Sequence, residues 1–155
     1  MKLIIAPHVI DENHLVEIIR KLKRPYVRYT RADEKNVRKA DCLIIDCFGL
    51  LSSIYRYGEI AYIGGGFGVG IHNTLEAAVY GIPVIFGPKY QKFQEAIHLL
   101  EAKGGFSIKS YEELKILLDR MLGDEDFLRE AGKNAGAYVT DNAGTTDKVL
   151  GMINF

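Results

Sequence analysis

Residues 60–88 read IAYIGGGFGVGIHNTLEAAVYGIPVIFGP, and they indicate the fold class most clearly. Ile60–Ile63 is a short apolar run bounded by glycine, which is typical of a buried strand. Leu75–Val79 has apolar residues at the spacing of one helix face, and Gly81 supplies a stop signal. A second apolar run follows at residues 84–86. The order is therefore strand, glycine loop, helix, strand.

The loop between this strand and this helix is unusually rich in glycine. Five of the seven residues from Gly64 to Gly70 are glycine. Glycine is favoured where φ is positive or where a ligand approaches the main chain closely. A loop that leads into a helix also presents unpaired N–H groups and the positive end of the helix dipole, which suits a phosphate. We predict an anion site here; the alternative is a tight strand-to-helix turn without a ligand.

Three side chains at the end of the loop add to this interpretation. Asn73 is a candidate N-cap, and Glu76 has the spacing to reach back to its N–H as a capping box. A carboxylate repels a phosphate but accepts hydrogen bonds from a sugar diol, so we expect Glu76 to face ribose hydroxyls. His72 is a donor for a phosphate or a sugar carboxylate, although a single loop histidine is more often a surface residue.

The composition fits one domain with its own core. The chain has 155 residues, of which 48% are hydrophobic, and 20 basic residues balance 20 acidic ones. Because the formal net charge is zero, no overall basic field favours nucleic acid, and we expect no nucleic-acid partner. The longest apolar runs fall far short of the roughly 20 residues that span a bilayer, and Pro7 interrupts the N-terminal run. A cytoplasmic location is the expectation.

Cysteine and histidine give no sign of a metal or a disulfide. Cys42 and Cys47 lack the spacing of redox or zinc sites and are expected to be reduced. The four histidines show no ligand spacing either. We therefore predict no bound metal.

The rest of the chain alternates strands and helices. Short apolar runs predict strands near residues 2–6, 26–29, 42–45 and 106–108, and helical patterns lie between and after them, with a last helix at 144–154. This alternation predicts an α/β domain with a doubly wound parallel sheet. Ligands of such sheets bind at the carboxyl ends of the strands. The loops expected at that edge contain His8, Asp46–Gly49, Gly64–Glu76 and Gly87–Phe93.

A set of short motifs resembles one family of glycosyltransferases. The motifs are Asp46-Cys47-Phe48-Gly49, Gly64-Gly65-Gly66-Phe67, Gly70 to Ala78 with its His-Asn-x-Leu-Glu segment, and Gly87-Pro88 with Phe93. Together they resemble the C-terminal, donor-binding half of the 3-deoxy-D-manno-octulosonic acid (Kdo) transferases of lipid A assembly. These are GT-B enzymes that use CMP-Kdo as donor substrate. The resemblance implies a Rossmann-like C-terminal half of a GT-B fold over residues 1–155, treated as a single domain.

The resemblance also implies roles for individual residues. Donor binding is implied for Gly65, Gly66, His72, Asn73, Thr74, Glu76, His8, Gly49 and Lys89. Gly65, Gly66 and the His72-Asn73 helix start would hold the CMP phosphate, and Glu76 would take the ribose hydroxyls. The family arginine before the first histidine falls on Pro7, so His8 or Lys89 would have to substitute for it. No cofactor is implied.

The family enzymes have a second domain that this chain does not match. The implied N-terminal domain holds the lipid A precursor and the acidic catalytic base, so we expect no catalytic residue in this chain. The chain would be an excised C-terminal domain, inactive alone, from a parent enzyme at the cytoplasmic face of the inner membrane. Two alternatives remain: a GT-B domain for a UDP- or GDP-linked sugar, and a non-catalytic response-regulator-like or scaffold module with Asp46 as phospho-acceptor.

Overall fold

The computed structural model of the protein describes residues 2–144 and Gly151. Its elements are β1 (Leu3–Ile5), α1 (Glu12–Lys21), β2 (Tyr26–Arg28), a 3-10 turn (Tyr29–Arg31), α2 (Glu34–Lys39), β3 (Cys42–Ile44), α3 (Leu51–Ile54), a second 3-10 turn (Tyr55–Tyr57), β4 (Ala61–Tyr62), α4 (Leu75–Ala78), β5 (Val84–Phe86), α5 (Gln94–Glu101), β6 (Gly105–Ser107), α6 (Tyr111–Gly123) and α7 (Glu125–Asp141). All six predicted strands are present. The predicted last helix, apart from Gly144 and Gly151, lies outside the described residues.

The α/β class with parallel strands is confirmed. The ladder hydrogen bonds among the described residues join the strands in two sets of three, β1-β3-β2 and β4-β5-β6, where the sequence predicted one sheet. Every pair in both sets is parallel, and the connections between them carry the helices. The two sets lie in separate compact units, Met1–Ser53 and Ile54–Phe155. We call these unit 1 and unit 2.

Unit 1 is built on the apolar stripe of α1. Asp11 caps this helix, because its side chain accepts a hydrogen bond from the His14 amide. Leu15 then packs against Cys42 and Ile44 of β3, and all three are buried. Ile18, Ile19 and Leu22, which complete the apolar stripe of α1, are partly buried and pack against the same cluster.

A buried carboxylate fastens three elements of unit 1 together. The Asp46 side chain is only 1% exposed. It accepts hydrogen bonds from Arg28 Nε (2.8 Å), from the Thr30 amide (2.9 Å) and from the Thr30 hydroxyl (2.6 Å). Arg28 Nη1 also donates to both carboxylate oxygens of Glu12, at 2.8 and 2.9 Å. The network therefore links α1 to β2 and to the end of β3.

The same contacts determine the ionisation of Asp46. Burial by itself would raise the pKa of this carboxyl. The hydrogen bonds from Thr30 and Arg28 outweigh that effect and lower the pKa from 3.8 to about 2. Asp46 is consequently a carboxylate at any pH well above 2.

Unit 2 is organised around β5, whose three residues are fully buried. Helix α7 lies close to this core because its contact face is made of small residues. A Cβ atom at Gly132 would lie 2.4 Å from the carbonyl oxygen of Gly81, and one at Gly136 would lie 3.1 Å from Gly81 Cα. Gly81 itself has φ +69°, so the turn before β5 and the helix that covers it both require glycine.

Gly132→Ala is expected to destabilise unit 2. The new methyl group overlaps the Gly81 carbonyl, and overpacking of this kind costs about 1–3 kcal/mol. Gly123→Ala is the matched control, because a Cβ atom at Gly123 meets nothing within 4 Å. Urea unfolding followed by circular dichroism should show a lower midpoint for Gly132→Ala alone; equal midpoints would contradict this packing.

Asp46→Asn is expected to destabilise unit 1 and to change its acid sensitivity. Removing one partner of the buried pair should cost about 3 kcal/mol at neutral pH. Because the folded pKa of about 2 lies below the ordinary 3.8, the carboxylate contributes stability that is complete above 3.8 and is lost as the pH falls towards 2. Urea unfolding of the wild type should therefore show a loss of roughly 2 kcal/mol across that window.

The Asp46→Asn variant should lack this component of the acid response. Asp119→Asn, which removes an exposed carboxylate paired with Lys115, is the control and should follow the wild type. An acid response of Asp46→Asn that matched the wild type would show that the buried carboxylate does not carry the effect.

Candidate functional site

The glycine loop after β4 folds into a small hairpin. Gly65 and Ile71 form an isolated antiparallel bridge. The His72 amide donates to the Gly64 carbonyl (3.2 Å), and the Gly66 amide donates to the Val69 carbonyl (3.1 Å). Gly65 and Gly66 have φ +91° and +80°, which is the positive-φ reason for glycine that the sequence suggested. We call residues 64–72 the glycine hairpin.

The hairpin packs directly on the loop that follows β5. A Cβ atom at Gly66 would lie 2.8 Å from Gly87 Cα, and one at Gly70 would lie 2.5 Å from the Phe93 ring. Phe93 is partly buried against the main core cluster of unit 2. Two of the five glycines thus permit close contact with another loop of the chain. This contact brings together the candidate residues that follow β4 and β5.

Lys89 holds the hairpin in place through two hydrogen bonds. Its amide donates to the Gly66 carbonyl (3.0 Å), and its Nζ donates to the Gly68 carbonyl (2.8 Å). The family resemblance implied that the Lys89 ammonium group contacts the donor substrate, CMP-Kdo. In this structure the ammonium group contacts the hairpin backbone at the Gly68 carbonyl, and its contact with the donor substrate stays a prediction.

The start of α4 differs from the predicted capping box. The helix begins at Leu75 with Thr74 in the N-cap position, and Thr74 already has helical angles (φ −86°, ψ −25°). Asn73 Oδ1 accepts from the Leu75 amide (3.0 Å), while Glu76 Oε1 accepts from the Asn73 side-chain amide (3.0 Å). The prediction of Asn73 as N-cap with Glu76 bound to its backbone N–H was therefore wrong. Helix α4 begins one residue later than predicted. The Asn73 side-chain amide, and not its backbone N–H, donates to Glu76.

Thr74 is fully buried, so a ligand does not reach its side chain in this structure. Its Oγ1 has no hydrogen-bond partner within the part of the chain that the structure describes. An unsatisfied buried hydroxyl costs about 1–3 kcal/mol.

The mouth of the hairpin is open to solvent. Gly64, Gly65, Gly68, His72 and Asn73 are exposed, at the carboxyl end of β4. The amides of Gly66, His72 and Leu75 already donate within the chain, and α4 is only four residues long. The predicted anion site therefore depends on the other amides of the hairpin and on nearby side chains, and only weakly on a helix dipole.

The negative charge of Glu76 affects the pKa of the Tyr55 phenol. Burial raises the pKa of Tyr55, and the negative charge of Glu76 raises it further. Tyr55 follows α3 in the second 3-10 turn and is packed against the same core cluster as Leu75. Tyr55 and Glu76 are 21 positions apart, so no local spacing in the sequence predicts this interaction.

The remaining candidates belong to unit 1. His8 follows β1 and is exposed, and Gly49 is exposed with φ +84° and an open space where a Cβ atom would lie. Asp46 follows β3, but its carboxylate is buried and bound to Arg28 and Thr30. A phospho-acceptor needs an exposed carboxylate, so this arrangement contradicts the response-regulator alternative.

Gly66→Ala and Gly68→Ala should separate the structural glycines from the others. At Gly66 a methyl group meets Gly87 and requires a strained positive φ, so we expect a loss of roughly 2–4 kcal/mol. At Gly68 a Cβ atom meets nothing within 4 Å, and we expect a change within about 1 kcal/mol. Thermal unfolding of the two variants should show a lower midpoint for Gly66→Ala only; comparable losses would contradict the packing described above.

Comparison with known proteins gives sequence relatives that are named as sugar transferases. The chain is 36% identical over 124 residues to a 3-deoxy-D-manno-octulosonic acid transferase of Aquifex aeolicus, covering 79% of this chain and 34% of that enzyme. It is 34% identical to the transferase of the same name from Rickettsia bellii, covering 73% and 28%. A bifunctional glycosyltransferase/methyltransferase of Fusobacterium nucleatum is 32% identical, covering 72% and 18%. No family model matches the sequence.

A solved structure has the same fold. It is the C-terminal CMP-Kdo binding domain of WaaA from Acinetobacter baumannii, with a TM-score of 0.73 and 19% identity over 85% of this chain and 70% of that one. The likeness confirms the Rossmann-like fold expected for the C-terminal half of a GT-B enzyme. The chain spans about a third of the length of the first two curated relatives. By sequence the chain is therefore a homologue of the Kdo transferases, matching about a third of their length, and the resemblance inferred from its motifs is confirmed.

Proposed function

We propose that this chain is the donor-binding part of a Kdo transferase and that it binds CMP-Kdo. The observation that carries the proposal is the 36% identity to a Kdo transferase over 79% of the chain. The fold shared with a CMP-Kdo binding domain supports it. So does the open hairpin at the carboxyl end of β4, since this is where α/β sheets bind ligands.

The residues around the hairpin suggest how the nucleotide binds. Glu76 presents a partly buried carboxylate, which accepts hydrogen bonds and therefore suits the two ribose hydroxyls. Asn73, which now donates to Glu76, would keep the carboxylate oriented through the same bond. The phosphate would lie against the exposed backbone of the hairpin near Gly64, Gly65 and His72. Lys89 contributes indirectly, because its hydrogen bonds to the Gly66 and Gly68 carbonyls hold the hairpin in place.

In the intact enzyme these contacts would serve an inverting displacement. A hydroxyl of the lipid A precursor attacks the anomeric carbon of Kdo, and a carboxylate of the N-terminal domain takes its proton. The present chain positions the donor and stabilises the negative charge that develops on the departing CMP. The parent enzyme would then lie at the cytoplasmic face of the inner membrane, where its lipid acceptor is found.

A different nucleotide-sugar is the main alternative. The Fusobacterium relative carries a glycosyltransferase name without a stated donor, and a GT-B domain for a UDP- or GDP-sugar would have the same fold. Calorimetric titration with CMP, UDP and GDP separates these cases. We expect measurable binding of CMP and weaker binding of the other two; a preference for UDP or GDP would contradict the Kdo assignment.

Glu76→Gln is expected to weaken CMP binding by about tenfold or more. Hydrogen bonds to a charged group are worth about 1.5–3 kcal/mol each, and the amide retains the shape but loses the charge. Glu130→Gln, which removes an exposed carboxylate from α7, is the control and should bind as the wild type does. The measurement is the same calorimetric titration. Unchanged affinity in Glu76→Gln would remove the ribose role of this residue.

A further inference from the structure

The second 3-10 turn, Tyr55–Tyr57, lies against helix α4 of the candidate site. The Arg56 guanidinium lies over the ring of Tyr80, which follows this helix, at 5.9 Å from the ring centroid. The Tyr55 side chain is partly buried and packs against the main core cluster of unit 2, which includes the two buried alanines of α4. These contacts hold Tyr55 beside the helix that carries Glu76.

The Tyr55 hydroxyl lies near the Glu76 carboxylate without bonding to it. Burial is the larger cause of the raised pKa of Tyr55, and the charge of Glu76 is the second cause, so the two groups are close enough to interact. Glu76 Oε1 accepts from the Asn73 side-chain amide at 3.0 Å. Within residues 2–144, however, no hydrogen bond joins the phenol to Glu76 or to any other residue.

The Tyr55 oxygen remains open to solvent although its ring is partly buried. In the described part of the chain, Thr74 Oγ1 is the side-chain atom that is both fully buried and without a hydrogen bond. The Tyr55 oxygen also lacks a bond and belongs to a partly buried residue, so it must touch solvent. A tyrosine hydroxyl in such a place usually has a hydrogen-bond partner. A ligand can therefore reach this hydroxyl and supply the partner.

We propose that Tyr55 is a second ribose-binding residue: its O–H donates to one ribose hydroxyl of CMP, and the same ribose hydroxyl donates to Glu76. A carboxylate can only accept, whereas a phenol can donate, and a sugar hydroxyl both accepts and donates. A ribose hydroxyl is therefore the group that satisfies the two side chains at once. The inference rests on the proposed binding of CMP and adds a residue that recognises its sugar.

Both groups are held in place before a nucleotide is bound. The bond from Asn73 orients the Glu76 carboxylate, and the core cluster holds the Tyr55 ring. Binding a sugar hydroxyl between them requires little rearrangement, which favours affinity. A site built to bond a hydroxyl also rejects an analogue without it, because its polar groups are then left unpaired. We therefore expect Tyr55 to contribute to the selection of ribose over deoxyribose.

Calorimetric titration of the whole 155-residue chain with CMP, 2′-deoxy-CMP and 3′-deoxy-CMP tests the proposal. Tyr55→Phe removes the hydroxyl and keeps the ring. We expect it to weaken CMP binding about fivefold, the value of one neutral hydrogen bond. It should leave the affinity for one of the two deoxynucleotides unchanged, because that nucleotide lacks the hydroxyl that Tyr55 bonds. Tyr57→Phe, in the same turn but 73% exposed, is the control and should bind all three as the wild type does.

The outcomes separate this inference from the proposed function. CMP binding by Tyr55→Phe that equals wild-type binding would overturn the role of the hydroxyl and leave the donor site intact. Equal losses with CMP and both deoxynucleotides would also overturn it, because they would show a general effect on the site. A wild-type chain that binds none of the three nucleotides would contradict the donor-site proposal itself, and this inference with it.

A second measurement tests the juxtaposition of the two groups without a nucleotide. An NMR pH titration of the chain with ¹³C-labelled tyrosine follows the Tyr55 phenol, whose signal is identified by its absence from Tyr55→Phe. Glu76→Gln should lower the pKa of Tyr55, because it removes the negative charge that disfavours phenolate. Glu130→Gln is the control and should leave that pKa unchanged. An unchanged pKa in Glu76→Gln would show that the two side chains are too far apart to share a ribose hydroxyl.

Discussion

The architecture of the candidate site depends on the contact between the glycine hairpin and the loop after β5. Gly66 meets Gly87 without room for a methyl group, and Lys89 donates to two hairpin carbonyls. The contact requires glycine for reasons internal to the chain, before any ligand is considered. It leaves Gly64, Gly65, Gly68, His72 and Asn73 facing solvent at the carboxyl end of β4. An exposed, well-supported backbone of this kind is suited to bind a ligand with little rearrangement.

Much of the fold could be predicted from the sequence because its signals are local. The strand-length apolar runs and their alternation with helical patterns each follow from a few neighbouring residues, and the structure contains them. The position of the glycine hairpin was also predictable. The grouping of six strands in two sets of three was not, because strand pairing depends on contacts between residues far apart in sequence.

The site details that the sequence missed have the same origin. Asp46 resembled an exposed strand-end carboxylate, but it is buried by Arg28 and Thr30, which lie 18 and 16 positions away. Lys89 bonds to a carbonyl 21 positions earlier, and the local sequence gives no sign of this contact. The predicted capping box was wrong because the helix begins one residue later than expected, with Thr74 and not Asn73 in the N-cap position. For Asp46 and Lys89 the partners lie 16 to 21 positions away, so the local sequence does not show them. The capping box differs only in the residue at which the helix begins.

Amide hydrogen exchange of the whole chain, measured by NMR with and without CMP, tests the central claim most directly. The account predicts that the Gly66, His72 and Lys89 amides, which are bonded within the chain, are protected before CMP is added. CMP should then slow exchange further in the hairpin and around Asn73 to Glu76. Rapid exchange of those three amides without CMP, or CMP protection confined to residues outside these loops, would contradict it.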